Sequence, residues 1–143
     1  MNTKDHHPNK LHFATGISFE GEHILDWKNS RMIWRYRNYY EPSACRKKIL
    51  EIADTRWQEL WETVERQKLW IPPPDENLMV FDGIYFSMEI TYQDWHVKES
   101  YNLSACSEEQ TRFYKNWQQA LATLIGRPMR FEVGYQLNDN ADL

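Results

Sequence analysis

Hydrophobic and polar residues alternate most regularly between positions 84 and 92. The apolar members are Ile84, Phe86, Met88, Ile90 and Tyr92, and more polar side chains separate them. A period of two is typical of a β-strand with one buried face. Similar patterns predict further strands at residues 11–19, 23–27, 31–38, 78–81, 95–101 and 129–135.

A helix with well-marked ends is predicted over residues 107–125. Ser107 is a favourable N-cap, and Gln110 follows at the spacing of a capping box. Apolar residues then recur every three or four positions, as in an amphipathic helix: Phe113, Trp117, Ala120, Leu121 and Leu124. Gly126 ends this pattern, because glycine readily adopts the left-handed conformation of a helix C-cap.

A second helix is predicted from Pro42-Ser43 to about Gln67, over residues 43–67. Its apolar stripe consists of Ile49, Ala53, Trp57, Leu60 and Val64. Three cations, Arg46, Lys47 and Lys48, fall in its first turns, where positive charge opposes the helix dipole. We therefore expect a nearby carboxylate or a binding partner to compensate them.

The order of these elements predicts an α+β fold. Strands precede each helix and few crossover connections are possible, so the sheet is expected to be antiparallel, with about five to seven strands. The two helices, at about 43–67 and 107–125, are expected to pack on one face of it. Residues 11–137 are predicted to form a single domain, and residues 1–10 and 138–143 to be flexible tails.

Aromatic residues are unusually frequent: the 143 residues include seven Trp, eight Tyr and six Phe. A domain of this size cannot easily bury all of them, so some are expected on a binding surface. Periodicity assigns Trp57, Phe86, Tyr92, Phe113 and Trp117 to the core. The aromatic residues left over are Trp34, Tyr36, Tyr39, Tyr40, Trp70, Tyr85 and Trp95.

Charge is unevenly distributed along the chain, whose net charge is −4. Residues 1–48 contain nine Lys/Arg and five Asp/Glu, whereas residues 49–143 contain eight and sixteen. A polarity of +4 against −8 would steer the encounter with an oppositely charged partner if the fold keeps the two regions apart.

The residues that could carry chemistry do not form a recognisable set. Cys45 lies near the predicted start of the first helix, but a cysteine nucleophile also needs a base, and no local signature supplies one. The five histidines have no metal-ligand spacing. We therefore predict a non-enzymatic protein without metal or cofactor, and keep a Cys45-based activity as a minor alternative.

The expected compartment is the cytoplasm. No apolar run approaches the ~20 residues that span a bilayer, and the polar N-terminus lacks the apolar centre of a signal peptide. Two cysteines, Cys45 and Cys106, are too few for a disulfide scaffold and suit a reducing environment.

A basic, aromatic segment between residues 31 and 48 is the predicted partner-binding surface. As a strand, residues 31–37 would place Arg31, Arg35 and Arg37 on one face, with Trp34 and Tyr36 on the other. The proposed contact residues are Arg31, Trp34, Arg35, Tyr36, Arg37, Tyr39, Tyr40, Arg46, Lys47, Lys48 and Trp70. The simpler interpretation is an outer sheet face whose arginines pair with acidic residues on neighbouring strands.

One resemblance supports a binding role. A pattern over residues 57–125 is formed by the tryptophans at 57, 61 and 70, the Asp82-Gly83 turn, the strand at 84–92 and the capped helix at 107–125. It resembles small uncharacterised bacterial α+β proteins of the toxin-immunity type. The resemblance implies a protein that neutralises a partner by covering its functional surface, and it implies no active site.

Beside the Cys45-based activity, three hypotheses of a non-catalytic function follow. The first is an immunity or inhibitor protein with a protein partner, such as a cognate toxin. The second is a nucleic-acid-binding accessory protein that uses the 31–48 segment. The third, an anti-defence inhibitor encoded by a mobile element, differs from the first only in its target. No membrane partner is expected, and the oligomeric state stays open.

Overall fold

The computed structural model describes residues 5–17, 20–74 and 83–126. In chain order its strands and helices are β1 (Lys10–Ile17), β2 (Gly21–Lys28), β3 (Arg31–Asn38), β4 (Arg46–Leu50), α1 (Asp54–Arg66), β5 (Ile84–Tyr92), β6 (Trp95–Asn102) and α2 (Glu108–Ile125). A single 3₁₀ turn, Pro42–Ala44, lies between β3 and β4.

The strands form one antiparallel sheet in the order β4-β3-β2-β1-β5-β6, which confirms the predicted α+β class. The predicted strands at 31–38 and 84–92 have the observed boundaries, and those at 11–19, 23–27 and 95–101 are displaced by one or two residues. Asn29 and Ser30, both with positive φ, join β2 to β3. Two such residues match the twist of a tight hairpin. The predicted strands at 78–81 and 129–135 and the tail at 138–143 lie outside the described residues.

Helix α2 has the predicted ends and the predicted buried stripe. The Gln110 backbone N–H donates to Ser107 Oγ at 3.1 Å, and the Ser107 N–H donates to Gln110 Oε1 at 3.0 Å, which completes the capping box. Gly126 ends the helix with φ of 74°. These features are local in sequence, so a single chain suffices to predict them.

The predicted start of the first helix is wrong. Pro42-Ser43 begins only one 3₁₀ turn, and Arg46–Leu50 forms the edge strand β4 instead, with Met32 opposite Leu50 and Tyr36 opposite Arg46. The helix begins at Asp54, whose negative charge suits a helix N-terminus. The three cations at 46–48 therefore never oppose a helix dipole, and no compensation for that is required.

Both helices pack on the same face of the sheet. Tyr114 of α2 lies against Phe13 and Phe86, and its hydroxyl is 2.8 Å from Thr15 Oγ1. Trp57 of α1 lies edge-on to Trp27 of β2, with the ring centroids 5.3 Å apart. The sheet residues in these contacts point to one side, since they occupy alternating, register-matched positions.

A column of aromatic rings connects α1 to the β5–β6 hairpin. Trp57, Trp61, Trp70 and Trp95 follow one another with near-parallel rings and centroid separations of 6.1, 5.8 and 6.0 Å. Tyr92 also stacks on Trp61 at 4.1 Å. Offset ring pairs at such separations contribute ~0.5–1.5 kcal/mol beyond the area that they bury.

Candidate functional site

The second face of the sheet, here called the open face, is not covered by either described helix. Its side chains are mostly charged or polar, and cross-strand neighbours carry opposite charges. Three carboxylates pair with its cations, two on β2 and one on β5: Glu22, Asp26 and Glu89. This arrangement agrees with the simpler interpretation of the basic segment, in which arginines pair with acidic residues of adjacent strands.

Asp26 joins Arg35 to His12. Arg35 Nη2 donates to Asp26 Oδ2 at 2.6 Å, and His12 Nδ1 lies 2.6 Å from Asp26 Oδ1. His12 and Asp26 are direct register partners between β1 and β2. Partial burial raises the pKa of Asp26, but the hydrogen bonds from His12 and Arg35 outweigh it and hold that pKa below its usual value.

Glu22 is the centre of a second group of contacts on the open face. It accepts a hydrogen bond of 2.7 Å from the Tyr85 hydroxyl and lies 3.9 Å from Arg37 Nη1. Burial, followed by the Glu22 carboxylate, raises the pKa of Tyr85, and the same two causes raise the pKa of Tyr39. Both phenols therefore stay protonated at neutral pH and can act as hydrogen-bond donors.

Glu89 joins β1, β5 and β6. Lys10 Nζ lies 2.8 Å and His96 Nε2 lies 3.2 Å from its carboxylate. Hydrogen bonds from Lys10 and then His96 lower the pKa of Glu89 to about 2. The Glu89 side chain is partly exposed to solvent, so these contacts contribute more to the arrangement of charge than to stability.

Three of the predicted contact residues belong to the core instead. Trp34 and Tyr36 are 2% and 4% exposed and point toward the helices, on the face opposite Arg35. Trp70 is 8% exposed because it packs between Trp61 and Trp95 and lies edge-on to Trp117. These side chains cannot form the centre of an exposed contact surface, so their inclusion in one is corrected.

Four of the remaining predicted residues lie where β3 turns into β4, together with Cys45. We call the residues Arg37, Tyr39, Tyr40, Cys45 and Lys47 the β3–β4 corner. Tyr39 and Tyr40 are 51% and 76% exposed, and the other three side chains are exposed as well. The corner thus combines tyrosine and arginine, two residue types enriched at binding hot spots.

Hydrogen bonds hold the chain at this corner in one conformation. Asn38 Oδ1 accepts from the backbone N–H groups of Tyr40 and Glu41 at 3.0 and 2.9 Å. The Tyr39 N–H donates to the Glu20 carbonyl at 2.9 Å, and the Cys45 N–H donates to the Pro42 carbonyl at 3.1 Å. A partner that binds here would meet backbone that is already ordered.

Of the other three cations of the segment, two lie apart from the corner and one, beside it, is engaged with backbone carbonyls. Arg31 lies exposed at the start of β3, beside the β2–β3 turn. Lys48 lies opposite Trp34 on the helix-facing side of the edge strand. Arg46 Nη1 donates to the carbonyls of Ser43 and Cys45 at 3.2 and 3.1 Å, so it supports the 3₁₀ turn. The structure therefore brings only part of the predicted basic patch together.

The candidates for chemistry are equally dispersed. Both cysteines are free thiols; Cys45 is exposed, and Cys106 is half-buried with Sγ 3.2 Å from Thr111 Oγ1. Within residues 5–17, 20–74 and 83–126, no group of three or more His, Cys, Asp or Glu residues is arranged to hold a metal ion. His23 is buried between the rings of Trp34 and Tyr36, and that burial lowers its pKa to about 4.

Sequence reasoning missed the acidic half of the open face. Asp26 binds Arg35 and Glu22 lies near Arg37, but neither carboxylate is identified from the sequence as a partner of the arginines. The signal was the polar alternation of β2, where Glu22 and Asp26 share a face. Their pairing depends on strand register, which the alternation of one strand does not specify.

A scan against protein-family models matches none of them, and a search of curated proteins finds no significant sequence relative. In the part of the chain that the structure describes, neither helix has the length and apolar character needed to cross a membrane.

Proposed function

We propose that the chain is a non-enzymatic protein-binding module of the immunity or inhibitor type, which neutralises a protein partner by covering its functional surface. The observation that carries this proposal is the β3–β4 corner, where exposed Tyr39 and Tyr40 adjoin Arg37 and Lys47 on hydrogen-bonded backbone. Exposed tyrosines on ordered backbone provide contact area at a low entropic cost.

The charge at the corner favours a protein partner over nucleic acid. A nucleic-acid interface needs several cations available to phosphates. Arg35 is already bound to Asp26, which leaves two cations at the corner, Arg37 and Lys47, for contact with an anion. The carboxylates of the neighbouring strands would also repel an extended phosphate backbone. Nucleic-acid binding is therefore the second candidate, with the basic segment as its only support.

The proposal includes a cytoplasmic location. Two free thiols, one of them exposed at Cys45, are compatible with a reducing compartment. An exposed thiol in an oxidising compartment would be open to disulfide exchange.

The test is cross-linking of the tagged chain at native levels in its source cells, with the partner quantified by mass spectrometry. The double variant Tyr39→Ala/Tyr40→Ala should lose the partner. Trp95→Ala removes a half-exposed aromatic residue from the opposite edge strand and should retain it. Repeated recovery of the chain alone, or equal loss in both variants, would contradict the proposal.

A further inference from the structure

A shallow cavity of about 390 Å³ opens at the β3–β4 corner. Four cationic side chains line it: Arg35, Arg37, Arg46 and Lys47. Tyr39 and Cys45 are also among its lining residues, and none of the described residues that line it is a carboxylate. Cationic side chains therefore predominate in the described lining of this cavity, although the whole chain is acidic.

The cations of this cavity are held by neighbouring groups to different extents. Arg35 is bound to Asp26 at 2.6 Å, so its guanidinium is largely neutralised and fixed in place. Arg37 is 3.9 Å from Glu22, beyond hydrogen-bond distance, and Glu22 already accepts from Tyr85. Among the described residues, no carboxylate pairs with Lys47. Arg37 and Lys47 thus keep donors for an incoming anion.

A second cavity on the open face provides the contrast. It measures about 460 Å³ and contains Lys98 together with Glu89 and Glu99, so carboxylates outnumber the lysine in its described lining. Both cavities belong to the same sheet and contain cations. Of these two cavities, the one at the corner has cations and no carboxylate among its described lining residues.

We propose that the corner cavity receives carboxylate side chains from an acidic segment of the protein partner. This inference rests on the proposed function and names the chemistry that the partner presents. Arg37 would donate to a carboxylate through its planar fork, and Lys47 would contribute a second charge. Tyr39 and Tyr40 would pack beside the segment. The cavity suits one or two side chains, and the nearby carboxylates of Glu22 and Asp26 limit the approach of a long polyanion.

Cys45 provides a natural reporter because its thiol lines the cavity. In a Cys106→Ser background, the rate of Cys45 alkylation by iodoacetamide can be measured with and without a hexaglutamate peptide. Hexaglutamine, inorganic phosphate and a twelve-nucleotide single-stranded DNA are the comparison probes. The ratio of the two rates within each variant removes any direct effect of a substitution on the thiol.

Hexaglutamate should slow alkylation several-fold, and added salt should reverse the effect because the contacts are ionic. Lys47→Gln or Arg37→Gln should lower the affinity for hexaglutamate about tenfold, the usual effect of losing a charge-assisted hydrogen bond. Lys98→Gln, in the second cavity on the open face, should leave the binding of hexaglutamate unchanged. Circular dichroism of each variant confirms that the fold is retained.

Three results would overturn the inference: no protection by hexaglutamate, equal weakening by Lys98→Gln, or protection by phosphate or DNA without protection by the peptide. Failure of the inference can be separated from failure of the proposed function. If partner capture depends on Tyr39 and Tyr40 but not on Lys47, the binding function stands and the acidic partner chemistry is wrong.

Discussion

Tyr85 on β5 donates a hydrogen bond of 2.7 Å to Glu22 on β2, across the intervening strand β1. At this level β1 has Gly16, which pairs with Glu22 on one side and with Tyr85 on the other. The contact is possible because glycine leaves the space above β1 empty. The Tyr85–Glu22 hydrogen bond of the open face thus depends on the lack of a side chain at Gly16.

Gly16→Ala should therefore destabilise the protein. A Cβ atom at Gly16 would lie 2.7 Å from Glu22 Cβ and still closer to the Gly21 carbonyl oxygen, so the strand pair would have to shift. Overpacking of this kind costs ~1–3 kcal/mol. Urea denaturation measures the change in unfolding free energy, with Ser87→Ala on the same face as a control expected within about 0.5 kcal/mol. An unchanged midpoint for Gly16→Ala would contradict the close approach.

The capping box of α2 gives a second prediction. Ser107→Ala removes the side-chain acceptor for the Gln110 N–H and should lower the unfolding free energy by about 1 kcal/mol. Ser107→Gly should cost only a few tenths of a kcal/mol, because glycine is itself tolerated at an N-cap. Thermal and urea denaturation of both variants check this order. Equal effects of Ala and Gly would argue against the cap.

Buried His23 should make stability fall in mild acid. Its pKa is about 4 in the folded protein and 6.5 when unperturbed, so the unfolded chain binds more protons between these values. The unfolding free energy should decrease as pH drops from about 6.5 to about 4, by ~3 kcal/mol in total. Below about pH 4 this contribution should level off, since both states are then protonated.

The measurement is urea denaturation from pH 7.5 to pH 4.5 for the parent chain and for His23→Phe. Other groups titrate in this range, so the difference between the two chains at each pH isolates His23. This difference should change steadily with pH in favour of the variant at low pH. A difference independent of pH would show that His23 is not held neutral.

Burial separates two aromatic residues that the sequence placed on one surface. Trp34→Ala should lower stability by ~3–5 kcal/mol, because a large core side chain is lost. Tyr40→Ala should stay within about 0.5 kcal/mol, since its side chain is exposed. Among the folded molecules of each variant, Trp34→Ala should still capture the partner, whereas Tyr40→Ala should capture less of it. A large loss of stability in Tyr40→Ala would mean that the tyrosine packs against the fold.

The elements that sequence predicts well depend on neighbouring residues. The Ser107–Gln110 box and Gly126 define α2 within a few positions, and the alternation in β3 and β5 follows from a period of two. The first helix was placed too early because Pro42-Ser43 is also a local start signal. The competing interaction, the pairing of Arg46–Leu50 with β3, is determined by strand register and cannot be read from residues 42–50 alone.

The candidate site was predictable only in part for the same reason. The sequence separates Arg35 from Trp34 on opposite faces of β3, but it does not say which face the helices cover. Trp70 follows α1 in a turn, and its burial depends on contacts with Trp61 and Trp117. The pairing of Arg35 with Asp26 required the β2–β3 register. The exposure of Tyr39 and Tyr40 is predictable, because neither residue belongs to a periodic apolar pattern.

The aromatic column also has a consequence for how the molecule opens. Its rings belong to α1, to the turn that follows, and to the β5–β6 hairpin, so none of these segments can detach without breaking ring contacts in another. Local opening is then coupled across segments far apart in sequence. Amide hydrogen exchange in α1 and in the β5–β6 hairpin is expected to proceed with a common opening free energy, as one cooperative unit.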